Sequence, residues 1–211
     1  MEERDAYAGP RGRFYRWYIR RPGVARVVGA TLWGSDFRPL YRHLASLADL
    51  APGTMVVDAA CGAGLALEWL DPARGHHYIG IDRSTAMLEA ARLVVDRRGF
   101  TNVTFHRGDV MDLPVTDGEA DAGLSLNALH CLPDPAGAVA ELARCVGPGG
   151  VVVCSSLVRG AVARADRLLA ADDTMGPGGT VDDHRGWLSN AGLHDIELHV
   201  SGALATFKAR S

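Results

Sequence analysis

The sequence predicts an α/β protein built on a seven-stranded, mostly parallel sheet with helices on both faces. From Gly53 onward, short apolar runs alternate with longer segments of helical periodicity, as in repeated strand–helix units. Two of those segments end at glycine, as helices commonly do. The last two apolar runs are separated only by Ser201 and Gly202. A two-residue connection makes a hairpin, so we expect an antiparallel last strand that closes an otherwise parallel sheet.

The predicted elements follow from apolar spacing and from helix-capping residues. Strands are predicted over residues 55–60, 77–82, 103–109, 120–127, 150–157, 194–200 and 203–210. Helices are predicted between them over residues 65–73, 85–99 and 134–150. Ser84 and Asp134 are suited to begin two of these helices, and Pro135 occupies a position that favours proline.

Both flanks of the strand–helix region are predicted to be helical. Residues 11–48 contain two or three helical segments rich in Tyr, Trp and Phe, and residues 1–50 are interpreted as an N-terminal cap. After the fifth strand we expect one helix, a Gly-Pro link and a second helix. Both flanks can overhang the carboxyl edge of the sheet, and residues 51–211 form the main domain.

Composition limits the classes of protein that fit. A chain of 211 residues with 47% hydrophobic residues can bury one substantial core. The first 50 residues hold nine arginines and five acidic residues, although the net charge is −3. No apolar run approaches the roughly 20 residues of a membrane span and no signal sequence is visible, so a cytoplasmic protein is expected. The cysteines lack a C-x-x-C pair and are expected to be buried thiols.

The first predicted strand leads into a turn, VVDAACGAGLAL (56–67), with an acidic residue at its entrance. Gly62 and Gly64 allow close backbone approach to a ligand. A pyrophosphate opposite Asp58 would meet a like charge, at a cost of roughly 4 kcal/mol for about 4 Å and an effective dielectric of about 20. Leu67 also stands where a dinucleotide fingerprint has Gly or Ala. The turn therefore favours a cationic ligand without phosphate over NAD.

Polar residues also follow the next three predicted strands. Asp82, 20 residues after Gly62, can accept hydrogen bonds from both hydroxyls of a ribose. Asp109 and Val110 are expected to contact an adenine, and Asn127 ends the fourth strand. Because ligands of open parallel sheets bind beyond the carboxyl ends of the strands, these residues predict one adenosyl site.

On these residues the chain resembles the class I S-adenosylmethionine-dependent methyltransferases, in particular the small-molecule enzymes that share a D-x-x-C-G-x-G first motif. The resemblance is close over residues 53–158. It implies a Rossmann-like fold and S-adenosylmethionine as the cofactor. The cofactor-binding residues that it implies are Asp58, Ala60, Gly62, Gly64, Asp82, Arg83, Met87, Asp109, Val110 and Asn127.

The acceptor side is less determined by the sequence. The resemblance puts His130 beside the transferring methyl group, where a histidine can act as a base near neutral pH or be a packed aromatic. Tyr15, Trp33 and Tyr41 are proposed to line the substrate pocket, with core packing as the equal alternative. The histidines show no metal-ligand spacing, so no metal is expected.

The segment RGRFYRWYIRR (11–21) allows two interpretations. Alternating arginines and aromatics suit a nucleic-acid or membrane surface. The favoured interpretation is an amphipathic helix whose aromatic side chains pack on the domain while its arginines stay in water. The aromatic residues concerned are Phe14, Trp17 and Tyr18, and the arginines are Arg13, Arg16 and Arg20.

The function predicted from the sequence is methyl transfer to a small, partly apolar metabolite. The fourth strand is not followed by the Asn-Pro-Pro-Tyr pattern of enzymes that methylate base or glutamine amides. The partner expected is therefore a small-molecule substrate, with neither nucleic acid nor membrane, and a homodimer is the one assembly considered. Three alternatives stay open: an isomerase, cyclase or decarboxylase that uses the cofactor as a fixed positive charge, a non-catalytic binding module, and an NAD-dependent reductase.

Overall fold

The computed structural model describes residues 9–172 and 175–211, which contain a seven-stranded sheet. Its strands are Met55–Ala59 (β1), His77–Asp82 (β2), Val103–Arg107 (β3), Ala120–Leu126 (β4), Val146–Leu157 (β5), His194–Ser201 (β6) and Leu204–Arg210 (β7). All seven predicted strands are confirmed, and only β5 departs from its predicted bounds by more than two residues, since it begins at Val146. Residues 1–8 of the predicted cap lie outside the described residues.

The strand order is β3-β2-β1-β4-β5-β7-β6. The central strand β1 pairs in parallel with β2 on one side and with β4 on the other. The chain therefore builds outward from β1 to β3 and then crosses back to β4 on the opposite side. The crossing leaves a crevice beyond the carboxyl ends of β1 and β4, which is where open α/β sheets bind ligands.

The reversed strand is confirmed, but the expectation that it closes the sheet is wrong. β7 pairs antiparallel with both β5 and β6, so β6 forms the edge. The physical reason is burial: β7 is buried along most of its length, whereas β6 is largely exposed and carries charged residues. A charged strand tolerates the edge and discourages pairing with other chains.

Helices cover both faces of the sheet. They are Pro10–Ile19 (α1), Pro22–Val28 (α2), Arg38–Ala45 (α3), Thr85–Arg98 (α4), Pro135–Cys145 (α5), Ala163–Ala170 (α6) and Val181–Asn190 (α7). Leu40 of α3 shares one apolar cluster with Val56 of β1, and Leu142 of α5 shares the other with Val57. Adjacent residues of β1 thus point to opposite faces, as strand geometry requires. The two predicted N-caps are confirmed, because Ser84 and Asp134 each accept a backbone N–H of the first helical turn.

The helix predicted over residues 65–73 does not form. Two short 3₁₀ turns, Ala66–Glu68 and Pro72–Arg74, stand in its place. Asp71 accepts the backbone N–H of Ala73 at 3.0 Å, and Pro72 has no N–H to continue a helix. Leu67 and other apolar residues of the segment are buried in the core, so their spacing reflects burial rather than helical structure.

The four cysteines are free thiols, and three of them are buried. The prediction of buried thiols therefore holds for all except Cys131, whose exposure is intermediate. Among residues 9–172 and 175–211, no helix combines the length and apolar character needed to cross a membrane.

The segment before α3 is anchored to the β6–β7 hairpin by polar contacts. The Ser35 hydroxyl accepts the backbone N–H groups of Ala203 and Leu204 at 3.0 and 3.1 Å. Ala203 also donates to the carbonyl of Trp33 at 3.1 Å. At the hairpin turn, a Cβ added to Gly202 would lie 2.1 Å from the carbonyl oxygen of Gly34. The N-terminal helices are therefore attached to the opposite end of the chain through backbone approach that only glycine permits.

We predict that Gly202→Ala destabilises the protein far more than Gly192→Ala. Both glycines have a positive φ, but an added Cβ at Gly192 meets no atom within 4 Å. Gly192→Ala should lower the free energy of unfolding only by the conformational cost of about 1 kcal/mol. Gly202→Ala adds a backbone clash, so its free energy of unfolding should fall by roughly 3 kcal/mol or more. Urea unfolding followed by circular dichroism measures both, and equal losses would contradict the proposed anchor.

Candidate functional site

A cavity of about 1480 Å³ lies at the carboxyl edge of the sheet. The loops after β1, β2 and β4 form its floor, and α1 together with Leu32, Trp33 and Phe37 forms its roof. This is the crevice where the strand order changes direction. The volume exceeds the roughly 300–1,000 Å³ of a typical ligand pocket, so the cavity has room for a nucleoside-sized cofactor and a second molecule.

Two floor residues have a left-handed backbone although neither is glycine. Ala60 follows β1 with φ of 61°, and Asn127 follows β4 with φ of 56°. Such conformations cost about 1–3 kcal/mol and persist where the surrounding structure holds them. The backbone N–H of Asn127 donates to both the carbonyl and the hydroxyl of Ser155, each at 2.9 Å. The Asn127 amide nitrogen is buried next to the Tyr15 hydroxyl, so the cavity floor holds a donor that can also serve a ligand.

Asp82 ties the glycine turn to the start of α4. One carboxylate oxygen accepts the backbone N–H of Gly62 at 2.8 Å, and the other accepts that of Ser84 at 2.8 Å. An ionised carboxylate has about four lone-pair sites, so it can accept further hydrogen bonds. Because Asp82 also lines the cavity, its carboxylate can bind a ligand while it holds the turn.

The two glycines of the turn face different surroundings. Gly62 lines the cavity, and an added Cβ there meets no atom within 4 Å. Gly64 does not line the cavity. A Cβ added there would lie 3.1 Å from Leu67 and 3.3 Å from Ala91, so its surroundings are packed protein. The prediction that Gly64 contacts a ligand is therefore corrected: its lack of a side chain lets the turn pack closely on α4.

Asp58 does not reach the cavity either. It is 1% exposed, and its Oδ2 atom accepts a hydrogen bond from the Tyr78 hydroxyl at 2.5 Å. Burial raises the pKa of Asp58 to about 7. Asp58 thus lies outside the cavity wall and is only partly ionised at neutral pH, which speaks against the expected attraction of a cationic ligand.

The charges around the cavity are mixed rather than acidic. The basic wall residues are Arg16, Arg20, Arg83 and Arg107, and the acidic ones are Asp82, Asp109 and Asp172. The electrostatic argument against a pyrophosphate thus loses its basis, although the missing third glycine still argues against NAD. Within the described ranges, no three His, Cys, Asp or Glu side chains are grouped in a way that could hold a metal ion.

The residues predicted to surround an adenine lie together at one end of the cavity. Arg83 and Asp109 form an ion pair, and Asp109 also accepts the backbone N–H of Met111 at 3.0 Å. Val110 and Met87 are buried wall residues beside them. The ion pair orients the Asp109 carboxylate, and the two apolar side chains supply surfaces on which a flat ring can pack.

His130 lines the cavity in a state that does not suit a base. Its Nδ1 atom accepts the backbone N–H of Leu157 at 3.2 Å, which leaves the proton of the neutral ring on Nε2. Burial lowers the pKa of His130 to about 4. A base acting at Nε2 would need the other tautomer, which would set an Nδ1–H against the Leu157 N–H. The geometry favours a neutral hydrogen-bond donor at Nε2, and the base role stays a prediction.

The three aromatic residues predicted for the substrate pocket separate into two groups. Tyr15 and Trp33 line the cavity. Tyr41 does not, because its hydroxyl donates to the Ile19 carbonyl at 2.7 Å and its ring packs 6.0 Å from that of Trp69. Tyr41 therefore joins α3 to α1 in the core, and its predicted substrate contact is wrong.

Several wall residues were not predicted from the sequence. Arg20, beyond the end of α1, donates to the Ala63 carbonyl and lies 3.5 Å from Glu68, and Arg16 approaches the Met87 sulfur at 3.8 Å. Leu157 closes the wall from the end of β5. The only sequence feature that pointed to them was the expectation that the flanking helices overhang the carboxyl edge of the sheet. A contact between residues more than 40 positions apart leaves no local pattern in the sequence.

Part of the sequence is similar to known methyltransferases. A profile described as a methyltransferase domain matches residues 57–154. The arsenite methyltransferase of Halobacterium salinarum is 31% identical over 160 residues, which cover 72% of this chain and 40% of that protein. The chain thus spans less than half the length of that relative.

Solved structures share the fold across most of the chain. A chain in the complex between the Haloferax volcanii Trm112 methyltransferase activator and a methyltransferase superposes with a TM-score of 0.70 at 20% identity, covering 99% of this chain and 98% of that one. The [4+2]-cyclase SpnF superposes with a TM-score of 0.67 at 20% identity, covering 85% of each chain. At these identities the likeness shows the fold alone.

The profile match begins in β1 and ends within β5, so it contains the glycine turn, Asp82 and Asn127. Its position coincides with the floor of the cavity. This match, the relative and the shared architecture support the resemblance of the chain to the class I S-adenosylmethionine-dependent methyltransferases, whose Rossmann-like fold it has.

Proposed function

We propose that this protein transfers a methyl group from S-adenosylmethionine to a small, largely apolar acceptor held beneath the N-terminal helices. The observation that supports this most strongly is the continuity of the cavity. One space extends from Gly62 and Asp82 on the floor to Tyr15 and Trp33 in the roof. A transfer between two molecules needs both in contact inside one water-poor space, which a continuous cavity of this size can provide.

The floor residues fit the adenosyl cofactor. Gly62 leaves open space where a side chain would stand, and Asp82 has acceptor sites left for the ribose hydroxyls. The buried Asn127 amide can donate to the carboxylate of the amino-acid portion. We assign cofactor binding to Ala60, Gly62, Asp82, Arg83, Met87, Asp109, Val110 and Asn127, and a supporting role to Gly64.

When bound, S-adenosylmethionine supplies a methyl group on a sulfonium, a leaving group that needs no protonation. The residues of the chain therefore mainly align the acceptor and exclude water. Alignment of this kind can supply about 7–11 kcal/mol. Tyr15, Trp33 and Leu157 would hold the acceptor, because they present mostly apolar surface to the cavity.

His130 would position the acceptor through a hydrogen bond from Nε2. With its pKa lowered to about 4, the ring stays neutral at physiological pH and cannot serve as a cation. The acceptor therefore carries a polar atom that can receive this hydrogen bond. A neutral amine or a stabilised carbanion fits best, since neither needs a protein base to remove a proton during transfer. The atom that receives the hydrogen bond would then differ from the atom that takes the methyl group, because the attacking lone pair must be free.

Arsenite, the substrate in the name of the Halobacterium relative, is a poor fit. Soft ions are held by clustered thiolates. Cys61 and Cys131 line the cavity, and burial raises the pKa of Cys61 well above its ordinary value. Two thiols, one of them held in the neutral form, favour an organic acceptor over a thiophilic ion.

A second candidate is an enzyme that keeps S-adenosylmethionine intact as a fixed positive charge, and a [4+2]-cyclase with the same fold is the observation that favours it. Methyl transfer is preferred because the matched profile and the relative are methyltransferases. The two reactions can be told apart by one product, because only methyl transfer releases S-adenosylhomocysteine.

We expect S-adenosylmethionine to raise the melting temperature and NAD to leave it unchanged. A ligand at about 100 times its Kd adds about 2.7 kcal/mol, which corresponds to roughly 5–10 °C for a domain of this size. Differential scanning fluorimetry with both ligands measures the shift. Stabilisation by NAD alone would contradict the assignment of S-adenosylmethionine as the cofactor. If S-adenosylmethionine binds, a screen of apolar amines and phenols for release of S-adenosylhomocysteine tests methyl transfer.

Asp82→Ala should weaken S-adenosylhomocysteine binding by about 100-fold or more, because a charged acceptor contributes about 1.5–3 kcal/mol per hydrogen bond. Asp121→Ala is the matched control, since Asp121 also accepts a backbone N–H, from Met55 at 2.8 Å, but does not line the cavity. Isothermal titration calorimetry should show normal affinity for the control. Equal affinities for the two variants would exclude Asp82 from the site.

His130→Gln should keep turnover within a few-fold of the wild type, whereas His130→Phe should lose about tenfold, because only glutamine retains a donor. In the wild type, the pH profile of kcat should show no histidine ionisation between about pH 6 and 8. Protonation of His130 should lower activity only as the pH falls toward about 4. A loss of activity in His130→Gln together with a rise in wild-type kcat through neutral pH would restore the base role.

A further inference from the structure

The helix α1 exposes aromatic side chains that were expected to pack on the domain. Tyr18 is buried as predicted, but Phe14 is 51% exposed and Trp17 is 47% exposed. The two exposed rings stack at 6.0 Å with an interplanar angle of 25°. The favoured interpretation of this segment is therefore wrong for two of its three aromatics, and α1 presents a stacked aromatic pair to solvent.

Exposed apolar side chains also surround the mouth of the cavity. Phe14, Leu32 and Leu168 all line the cavity, and Leu32 and Leu168 are 41% and 43% exposed. They come from α1, from the turn after α2 and from α6. Three separate parts of the chain thus bring large apolar groups to one rim, which indicates an interaction site more strongly than a single exposed residue does.

Arginines lie beside this apolar rim. A shallow hollow next to the cavity is lined by Arg13, Arg16, Trp17, Arg20, Arg21, Glu68 and Arg97. Arg16 and Arg20 line both spaces, so the hollow adjoins the cavity. The Arg21 guanidinium lies 5.0 Å from the centre of the Trp17 ring. Five arginines against one carboxylate make this face strongly basic on a chain whose net charge is −3.

We propose that this face, which we call the rim patch (Arg13, Phe14, Trp17, Arg21, Leu32 and Leu168), docks on the surface of an anionic lipid bilayer. Aromatic and aliphatic side chains next to arginines match an interface with acyl chains below and anionic headgroups above. An RNA partner would use the arginines and the rings, but it offers nothing to Leu32 and Leu168. The aliphatic rim therefore favours lipid over nucleic acid.

Docking by the rim patch would turn the mouth of the cavity toward the bilayer. An apolar acceptor dissolved in lipid could then enter beneath α1 without crossing water. This route for the acceptor rests on the proposed function, whereas the docking itself rests only on the exposed residues and their charges.

The test is sedimentation of the 211-residue protein, without cofactor or acceptor, with vesicles of phosphatidylcholine alone or of phosphatidylcholine and phosphatidylglycerol in equal parts. We expect binding to the anionic vesicles at low salt and little binding to the neutral ones. Arg13→Gln combined with Arg21→Gln should weaken binding by about fivefold for each arginine removed. Phe14→Ser combined with Trp17→Ser should weaken binding at both low and high salt, because apolar insertion is not screened.

Matched controls separate the patch from general charge and hydrophobicity. Arg185→Gln with Arg210→Gln removes the same charge from α7 and β7, and Leu93→Ser removes a side chain that is 68% exposed on α4. Both controls should bind like the wild type, and circular dichroism confirms that every variant is folded. No binding of the wild type to anionic vesicles, equal losses in the controls, or tighter binding to a single-stranded RNA than to vesicles would each overturn the proposal. Because no methyl transfer is measured, failure of the proposed function would leave this result intact.

Discussion

The geometry of the site depends on the carboxylate of Asp82 and its two backbone donors. Gly62 and Ser84 belong to different loops, and both orient an N–H toward this side chain at 2.8 Å. Buried N–H groups need acceptors, and a charged acceptor binds them more strongly than a neutral one. One residue at the end of β2 therefore sets the path of the turn after β1 and the start of α4. Without it, the turn after β1 and the start of α4 would lose the acceptor that joins them.

The roof is held over that floor from two directions. On one side, Arg20 donates to the Ala63 carbonyl of the glycine turn, and Tyr41 donates to Ile19 at the end of α1. On the other side, Ser35 receives two N–H groups from the β6–β7 hairpin. These contacts are polar and directional, so they fix where the helices lie, in addition to the burial of the helices' apolar side chains. The cavity is thus closed by the first and last parts of the described chain, with the sheet between them.

The sequence predicts which residues lie at the carboxyl ends of the strands, but not the direction of each side chain. Asp58 stands at the right end of β1, yet it is buried and its carboxylate accepts the Tyr78 hydroxyl from β2, so it does not line the cavity. Tyr41 is buried as its helical spacing indicates, but spacing alone does not tell a pocket from a core. The His130 tautomer depends on the backbone of Leu157, 27 residues away. Position along a strand is local information, whereas orientation and protonation state depend on packing between distant elements.

The same limit explains α1, where aromatic and arginine residues alternate too closely for the pattern to define one inner face. Its buried side is formed by Tyr18 and Ile19, which leaves Phe14 and Trp17 in water. One short helix therefore carries both roof residues of the cavity and residues of the rim patch, and Phe14 belongs to both. A surface bound to the patch and an acceptor in the cavity would therefore contact the same helix. Any effect of one on the affinity for the other would be equal in both directions, because coupling between two sites is reciprocal.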